Sequence, residues 1–171
     1  RGCRDASYLA VGTGIGAGVV EKDPAYSDVH HVNTTNPFEI GHLLLGDNPF
    51  DRFEDRYSGP GIEKRYGMGP KSMPAGHPAW AEEGAAAGRL ALVMGLMNGV
   101  ELVVPTGGVG AGASNKLKPY LEEFISSSRA YGNGPQKLFM PDIKLVSPGE
   151  ADEFEMFGAE GVMRDLLTVP E

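Results

Sequence analysis

The chain has 171 residues, of which 41% are hydrophobic, enough for one compact domain with its own core. Its net charge of −8 argues against a protein that grips the phosphate backbone of a nucleic acid. A small anionic ligand is still compatible with this charge, since backbone N–H groups can hold phosphate. The longest apolar run, Leu90–Met97, is too short for a membrane span, and the single cysteine, Cys3, excludes an internal disulfide.

The first half of the chain is predicted to open with a hairpin. Tyr8–Val11 and Gly18–Glu21 have strand composition and flank the glycine-rich turn GTGIGAG. Two further strands and two short helices are predicted after it, at Val29–Val32, Gly41–Leu45, about Phe50–Tyr57 and Ile62–Tyr66.

The second half alternates strands and helices. The longest predicted helix begins at Pro78 and ends near Asn98, with Glu82 and Glu83 in early turns where the helix dipole favours anions. The small residues from Gly84 to Gly88 would let a second helix approach closely. The elements predicted after it are a strand at Glu101–Pro105, a loop at Thr106–Gly112, a helix with the stripe Leu121, Phe124 and Ile125, strand pieces in Leu138–Val146, and a helix at Phe157–Leu167. This order predicts an α/β fold, with a mixed sheet and helices packed on it, over residues 1–171.

The first glycine turn nearly fits the dinucleotide-binding fingerprint. That fingerprint needs a helix next, to direct its dipole at a pyrophosphate, whereas Val19 and Val20 favour a strand. What remains is a hairpin whose glycines leave backbone N–H groups uncovered, with the Thr13 hydroxyl as a further donor. Such a turn suits phosphate, although a tight hairpin without a ligand is the alternative.

The second glycine turn, Thr106–Gly112, follows an apolar strand and precedes a helix. Glycines there would let a flat ring lie against the main chain, while a plain strand-to-helix connection is the alternative. Two such turns in one short chain suggest phosphates at one and a base or ribose at the other.

A third cluster, Phe38-Glu39-Ile40-Gly41-His42, is followed by Glu54. Carboxylates and an imidazole suit sugar hydroxyls, because a carboxylate accepts two directional hydrogen bonds and histidine can donate or accept. A metal site or solvated loop charges are the alternatives.

In this order, the three elements resemble the C-terminal lobe of ROK family sugar kinases, in particular the glucokinase- and fructokinase-like members. GTGIGAG is similar to the second phosphate motif of the family, FEIGH to its sugar-binding Glu-x-Gly-His, and VVPTGGVGAG to its adenosine motif. FEDRYSGPGIEKRYG resembles the segment with the second glutamate, and FGAEGV the closing helix. The resemblance runs from about Tyr8 to Leu167.

The resemblance implies an actin-like, ribonuclease-H-like ATPase lobe and ATP-dependent phosphorylation of a glucose- or fructose-type hexose. It implies three sets of binding residues: Gly12, Thr13 and Gly14 at the ATP phosphates, Gly107 and Gly108 at the adenosine, and Glu39, His42 and Glu54 at the sugar. Mg²⁺ is expected together with ATP, because phosphate oxygens supply much of its shell. A cytoplasmic homodimer without nucleic acid or membrane partners is also expected.

Three departures from the family pattern carry further expectations. The family's cysteine-rich zinc loop is replaced by LLLGDNPFDRF, so no structural zinc or other bound metal is expected at His42. Thr106 replaces the first of three glycines in the adenosine motif, so less tight packing of the base is expected there. Phe38 stands where a small residue is usual, so a reshaped sugar pocket is expected.

The resemblance also places the first phosphate motif and the catalytic aspartate of the family upstream of Arg1, in an N-terminal lobe. This chain has neither Asp-x-Gly-x-Thr nor an Asn-Asp pair, so no catalytic residue is assigned and no turnover is expected without the missing lobe. A sugar-sensing lobe of a ROK-type transcriptional regulator is the main alternative, and a non-catalytic lobe kept for dimerisation is another.

Overall fold

A computed structural model describes residues 5–21, 39–47, 51–130, 139–147 and 150. The centre of the molecule is a four-stranded sheet with the spatial order β2-β1-β3-β4. Its strands are β1 (Asp5–Val11), β2 (Ile15–Glu21), β3 (Leu102–Thr106) and β4 (Asp142–Ile143). β2 is antiparallel to β1, whereas β3 is parallel to β1 and β4 is parallel to β3, so the predicted mixed sheet is confirmed.

The predicted hairpin is confirmed and is longer than predicted. Val11 pairs with Ile15 across a three-residue turn, and the pairing extends to Asp5 and Glu21. Pairing of β1 with β3 on its other side supports this extra length. The buried Ser7 hydroxyl donates to the Gly18 carbonyl over 2.6 Å, so the polar group inside the sheet is satisfied.

Five helices accompany the sheet in the described part of the chain. They are α1 (Phe53–Tyr57), α2 (Gly59–Tyr66), α3 (Ala79–Asn98), α4 (Gly107–Gly110) and α5 (Ser114–Ala130). α2 begins after Ser58, whose Oγ accepts from the Gly61 amide, and it ends at Gly67 in the left-handed region (φ +70°). None of the described helices is both long and apolar enough to cross a membrane.

α3 and α5 pack closely because two glycines of α3 face α5. A Cβ at Gly84 would lie 2.7 Å from the Cβ of Tyr120, and one at Gly88 would overlap the Phe124 ring. Leu90 and Met94 of α3 are buried in the core that this helix shares with the sheet. The predicted close approach of a second helix is therefore confirmed.

Two sequence predictions are wrong in the described residues. The strand expected at Gly41–Leu45 is instead a 3₁₀ turn at Ile40–His42, and only Leu44 forms a bridge, to Arg52. The loop expected at Thr106–Gly112 contains α4, closed by the Ala111 amide donating to the Gly107 carbonyl. The predicted elements at Val29–Val32 and Phe157–Leu167 lie outside the described residues.

Glu83 is an acidic side chain in the interior, only 3% exposed on α3. Arg65 Nη2 donates to Glu83 Oε1 over 3.0 Å, and the same guanidinium lies over the rings of Tyr57 and Tyr66. Burial raises the pKa of the Glu83 carboxyl to about 9, despite the neighbouring guanidinium. Glu83, which the sequence predicts as an anion favoured by the helix dipole, is therefore a buried core residue instead.

We expect Glu83→Gln to change how stability depends on pH. Between the ordinary carboxyl pKa of 4.5 and the folded value of about 9, unfolding releases the Glu83 proton. The free energy of unfolding of the unmodified protein therefore falls as pH rises through this window. Glutamine carries no such proton, so the variant should gain stability relative to the unmodified protein from pH 5 to pH 9 in chemical denaturation.

Glu82→Gln is the matched control for this prediction. Despite some burial, hydrogen bonds from Tyr66 and Arg65 lower the pKa of the Glu82 carboxyl, so it titrates below the window. The difference between Glu82→Gln and the unmodified protein should stay constant from pH 5 to pH 7, below the range in which Glu83 titrates, because the Glu82 charge itself contributes to the raised pKa of Glu83. A constant difference for Glu83→Gln as well would show that Arg65 keeps Glu83 ionised.

Candidate functional site

The two glycine turns meet at one edge of the sheet. β1 and β3 are parallel neighbours, with Ala10 beside Thr106, so the turns that follow them emerge at the same carboxyl edge. A Cβ at Gly12 would lie 3.9 Å from the Gly108 amide nitrogen. The structure thus brings the predicted phosphate and adenosine segments together.

The first turn is exposed to solvent, and two backbone hydrogen bonds of Gly12 hold it in place. The Gly12 amide donates to the Gly14 carbonyl over 2.9 Å, and the Gly12 carbonyl accepts from the Gly59 amide at the start of α2 over 2.7 Å. Thr13 and Gly14 are exposed, and their amides donate to no backbone carbonyl among the described residues. Free amides on a fixed turn are the donors that an anionic group requires.

Gly107 begins α4 in a conformation that suits glycine. Its φ is +79°, and a Cβ there would lie 2.6 Å from the Val11 carbonyl oxygen. Gly108, the next residue, is exposed and has open space where a Cβ would be. Thr106, which stands in place of a family glycine, is buried and extended, and precedes the turn without capping it.

A cleft of about 380 Å³ lies between the two turns. Its walls come from the first turn, the start of α2, the segment after α2 and the start of α4; they are Gly12, Thr13, Gly59, Pro60, Glu63, Gly69, Pro70, Lys71, Gly108 and Val109. Four of these ten residues are glycines, which leave the main chain uncovered by a side chain at those points.

The three predicted sugar-binding side chains converge on one point. His42 Nε2 lies 3.0 Å from Glu54 Oε1 and 3.8 Å from Glu39 Oε2. The 3₁₀ turn brings Glu39 and His42 to the same side, and α1 presents Glu54 to them. Glu54 is the most enclosed of the three, with a side chain 20% exposed, compared with 48% for His42 and 66% for Glu39.

This cluster touches the first glycine turn. A Cβ at Gly14 would lie 3.3 Å from Glu54 Oε2, so only a glycine lets the carboxylate approach so closely without movement. Gly41 fits against the main chain of Ile15 and the Cβ of Glu54, where any side chain would collide. The cluster of Glu39, His42 and Glu54, here called the acidic cluster, therefore adjoins the first glycine turn, and the two form one contiguous surface.

Sequence reasoning did not identify Arg52 as part of this cluster. Arg52 Nη1 lies 3.2 Å from the Glu54 oxygen that His42 also contacts. Its Nε and Nη2 donate to Asp55 over 3.0 and 3.1 Å, so the guanidinium is held by two carboxylates. The i, i+3 spacing of Arg52 and Asp55 was an available signal for that pair, whereas helix spacing does not predict the contact of Arg52 with Glu54 at i, i+2.

A larger open basin of about 1310 Å³ lies on the Glu54 side of the turn. Thr13 and Pro60 line both this basin and the cleft, so the two spaces adjoin at the tip of the turn. Nowhere in the described ranges do three or more His, Cys, Asp or Glu side chains form a metal-binding group, and the expected absence of zinc stays a prediction.

Two curated relatives are fructokinases. The chain is 31% identical over 84 residues to the fructokinase of Pediococcus pentosaceus, which covers 43% of this chain and 27% of that protein. It is 25% identical over 155 residues to the fructokinase of Streptococcus mutans, which covers 85% of this chain and 50% of that protein. The chain thus spans half the length or less of these relatives. No family model matches it.

Solved structures agree in fold. A ROK family glucokinase from Streptomyces griseus, in complex with glucose and AMPPNP, matches 90% of this chain and 61% of its own, with a TM-score of 0.59 and 15% identity. A ROK family transcriptional regulator, a homologue of the E. coli MLC protein, matches 84% of this chain and 41% of its own, with a TM-score of 0.60 and 16% identity.

The predicted actin-like ATPase fold is thus confirmed. In sequence and in fold, this chain resembles the ROK family of sugar kinases.

Proposed function

We propose that this chain is the sugar- and nucleotide-binding lobe of an ATP-dependent hexose kinase, with a glucose- or fructose-type acceptor. The observation that carries the proposal is the close approach of Glu54 to Gly14, where a Cβ would lie 3.3 Å from Glu54 Oε2, which places a sugar-type carboxylate cluster beside a phosphate-type turn. Phosphoryl transfer is mainly positioning and charge stabilisation, so the two substrates must be held side by side.

The nucleotide half of the proposal assigns phosphates to the turn and adenosine to the second glycine segment. The free amides of Thr13 and Gly14 would donate to phosphate oxygens, and the open main chain at Gly107 and Gly108 would face the base and ribose. ATP would bring Mg²⁺ with it, because Mg²⁺ takes much of its oxygen shell from phosphates.

The sugar half assigns hydroxyl recognition to Glu39, His42 and Glu54. The two carboxylates accept from hydroxyls, and His42 can donate or accept. Arg52 would keep the Glu54 carboxylate in place, since it contacts the oxygen that faces His42.

The base that takes the proton of the attacking hydroxyl is not assigned to this chain. We propose that an N-terminal lobe supplies it, as the resemblance implies; the Streptococcus mutans fructokinase is about twice the length that the chain covers. This chain would then bind both substrates and transfer no phosphate alone.

Calorimetry with glucose, fructose and the non-hydrolysable ATP analogue AMP-PNP tests the proposal. We expect this chain to bind AMP-PNP and one hexose class, and the longer protein that carries it to form ADP and hexose phosphate. Binding of neither ligand would overturn the proposal. Hexose binding without nucleotide binding would instead favour the sugar-sensing lobe of a regulator, a candidate that the fold likeness to the ROK regulator supports.

We expect Gly14→Val to weaken the binding of both the nucleotide and the hexose, because Gly14 lies in the phosphate-type turn and faces Glu54. The new side chain would stand among the amides that face phosphate, and its Cβ would lie 3.3 Å from Glu54 Oε2. Both affinities should fall at least tenfold in calorimetry. Gly16→Val is the control, because a Cβ at Gly16 meets nothing within 4 Å. Unchanged AMP-PNP affinity in Gly14→Val would refute the phosphate assignment.

A further inference from the structure

The segment Gly69–Met73, here called the cleft loop, is held in place by a lysine from a distant helix. The ammonium group of Lys116, on α5, donates hydrogen bonds to the carbonyls of Pro70, Lys71 and Met73 over 3.1, 3.3 and 2.8 Å. A half-buried ammonium with three carbonyl partners is well satisfied, and it fixes three of the five peptide units of the loop.

Other contacts support the same loop. The Ser72 amide and hydroxyl both donate to the Gly69 carbonyl over 3.1 Å. Met73 is 1% exposed and anchors the loop in the core. The Lys116 ammonium also lies 5.4 Å from the centre of the Trp80 ring, a cation–π distance. The cleft loop is therefore a firmly held part of the cleft wall.

This wall presents Lys71 to the cleft between the two glycine turns. Lys71 is exposed, and it is the sole Lys or Arg among the described residues that line this cleft. Within the described part of the chain it forms no ion pair. The three arginines of the adjoining basin differ in this respect, since Arg52 and Arg56 are each held by an aspartate and Arg65 is held by two glutamates.

We propose that Lys71 is a phosphate-binding residue of the nucleotide cleft, and that Lys116 is the positioning residue that holds it there. The inference rests on the proposed function. A nucleotide with two or three phosphates brings several negative charges to a protein whose net charge is already −8. Backbone amides supply only partial positive charges, and Glu63 is the acidic residue on the described cleft wall. One full cation on a fixed loop offsets this repulsion, and a charged hydrogen bond is about twice as strong as a neutral one.

The test compares adenosine with ADP and AMP-PNP. We expect Lys71→Met to weaken ADP and AMP-PNP by about tenfold or more in calorimetry, while adenosine affinity stays unchanged, because adenosine has no phosphate. Lys64→Met is the matched control: Lys64 is also exposed and lines the basin but not the cleft, so ADP affinity should change less than threefold.

The role of Lys116 is tested by a double-variant cycle. Lys116→Met should weaken ADP binding. The double variant, which carries Lys71→Met and Lys116→Met, should bind ADP no more weakly than Lys71→Met alone, because Lys116 acts through Lys71. Additive losses would overturn the positioning role. A Lys71→Met variant that binds ADP normally would overturn the Lys71 inference alone, whereas failure of the unmodified protein to bind any nucleotide would overturn the proposed function itself.

Discussion

Glu54→Gln should weaken hexose binding by about ten- to a hundredfold and leave AMP-PNP affinity nearly unchanged. Glu54 is the centre of the acidic cluster: one of its oxygens contacts both His42 and Arg52, and its side chain is the most enclosed of the three residues proposed to bind the sugar. Hydrogen bonds to a charged acceptor contribute about 1.5–3 kcal/mol each, which corresponds to that range of affinity. Calorimetry with glucose and fructose, on the protein with and without AMP-PNP, measures the effect.

Two further variants define what the Glu54 result means. Glu39→Ala should act in the same direction, since Glu39 lies on the other side of His42. Asp51→Asn is the control: Asp51 lines the same basin but pairs with Arg56, away from the cluster, so hexose affinity should not change. Intact hexose affinity in both glutamate variants would remove the sugar half of the proposed function.

Gly107→Ala should lower the free energy of unfolding by about 2–5 kcal/mol and abolish nucleotide binding. The left-handed backbone of Gly107 costs a residue with a Cβ about 1–2 kcal/mol, and overpacking typically costs a further 1–3 kcal/mol. The collision is with the Val11 carbonyl, a backbone atom of the central strand β1 that cannot move aside without disturbing the sheet. Urea denaturation gives the stability change, and calorimetry with AMP-PNP gives the binding change.

Gly108→Ala is the adjacent control and separates stability from binding. A Cβ at Gly108 meets nothing within 4 Å, so this variant should be as stable as the unmodified protein. If adenosine lies against the main chain here, the added methyl should still reduce AMP-PNP affinity. Equal stability of the two alanine variants would contradict the packing argument for Gly107.

Local patterns in the sequence were sufficient for several elements. The hairpin was predictable because β-branched and apolar runs flank a glycine turn, and α3 was predictable because Pro78 precedes a long segment without another proline. The close packing of α3 and α5 followed from glycines, which leave room for a neighbour. The order of three short motifs also indicated the fold, since each motif has a fixed place in the resemblance.

Other features depended on contacts between distant parts of the chain. Gly41–Leu45 has strand-like residues, yet Gly41 fits against Ile15 and Glu54 only in a tight 3₁₀ turn, so tertiary packing overrode local preference. α4 begins at Gly107, which lies against the Val11 carbonyl in a left-handed conformation, so its start depends on a strand about a hundred residues earlier in the chain.

The residues of the candidate site are a prediction from the sequence, whereas their geometry was decided by the tertiary structure. Glu39, His42 and Glu54 were predictable as residue types that suit sugar hydroxyls. The approach of Glu54 to Gly14 arises only when α1 packs against the hairpin. The ion pair between Arg52 and Glu54 is local to the start of α1, but helix spacing does not predict it. Lys71 and Lys116 are 45 residues apart in the chain, and they meet because α5 lies beside the cleft loop. Periodicity and composition report on neighbours in sequence, whereas charge pairing and burial depend on neighbours in space.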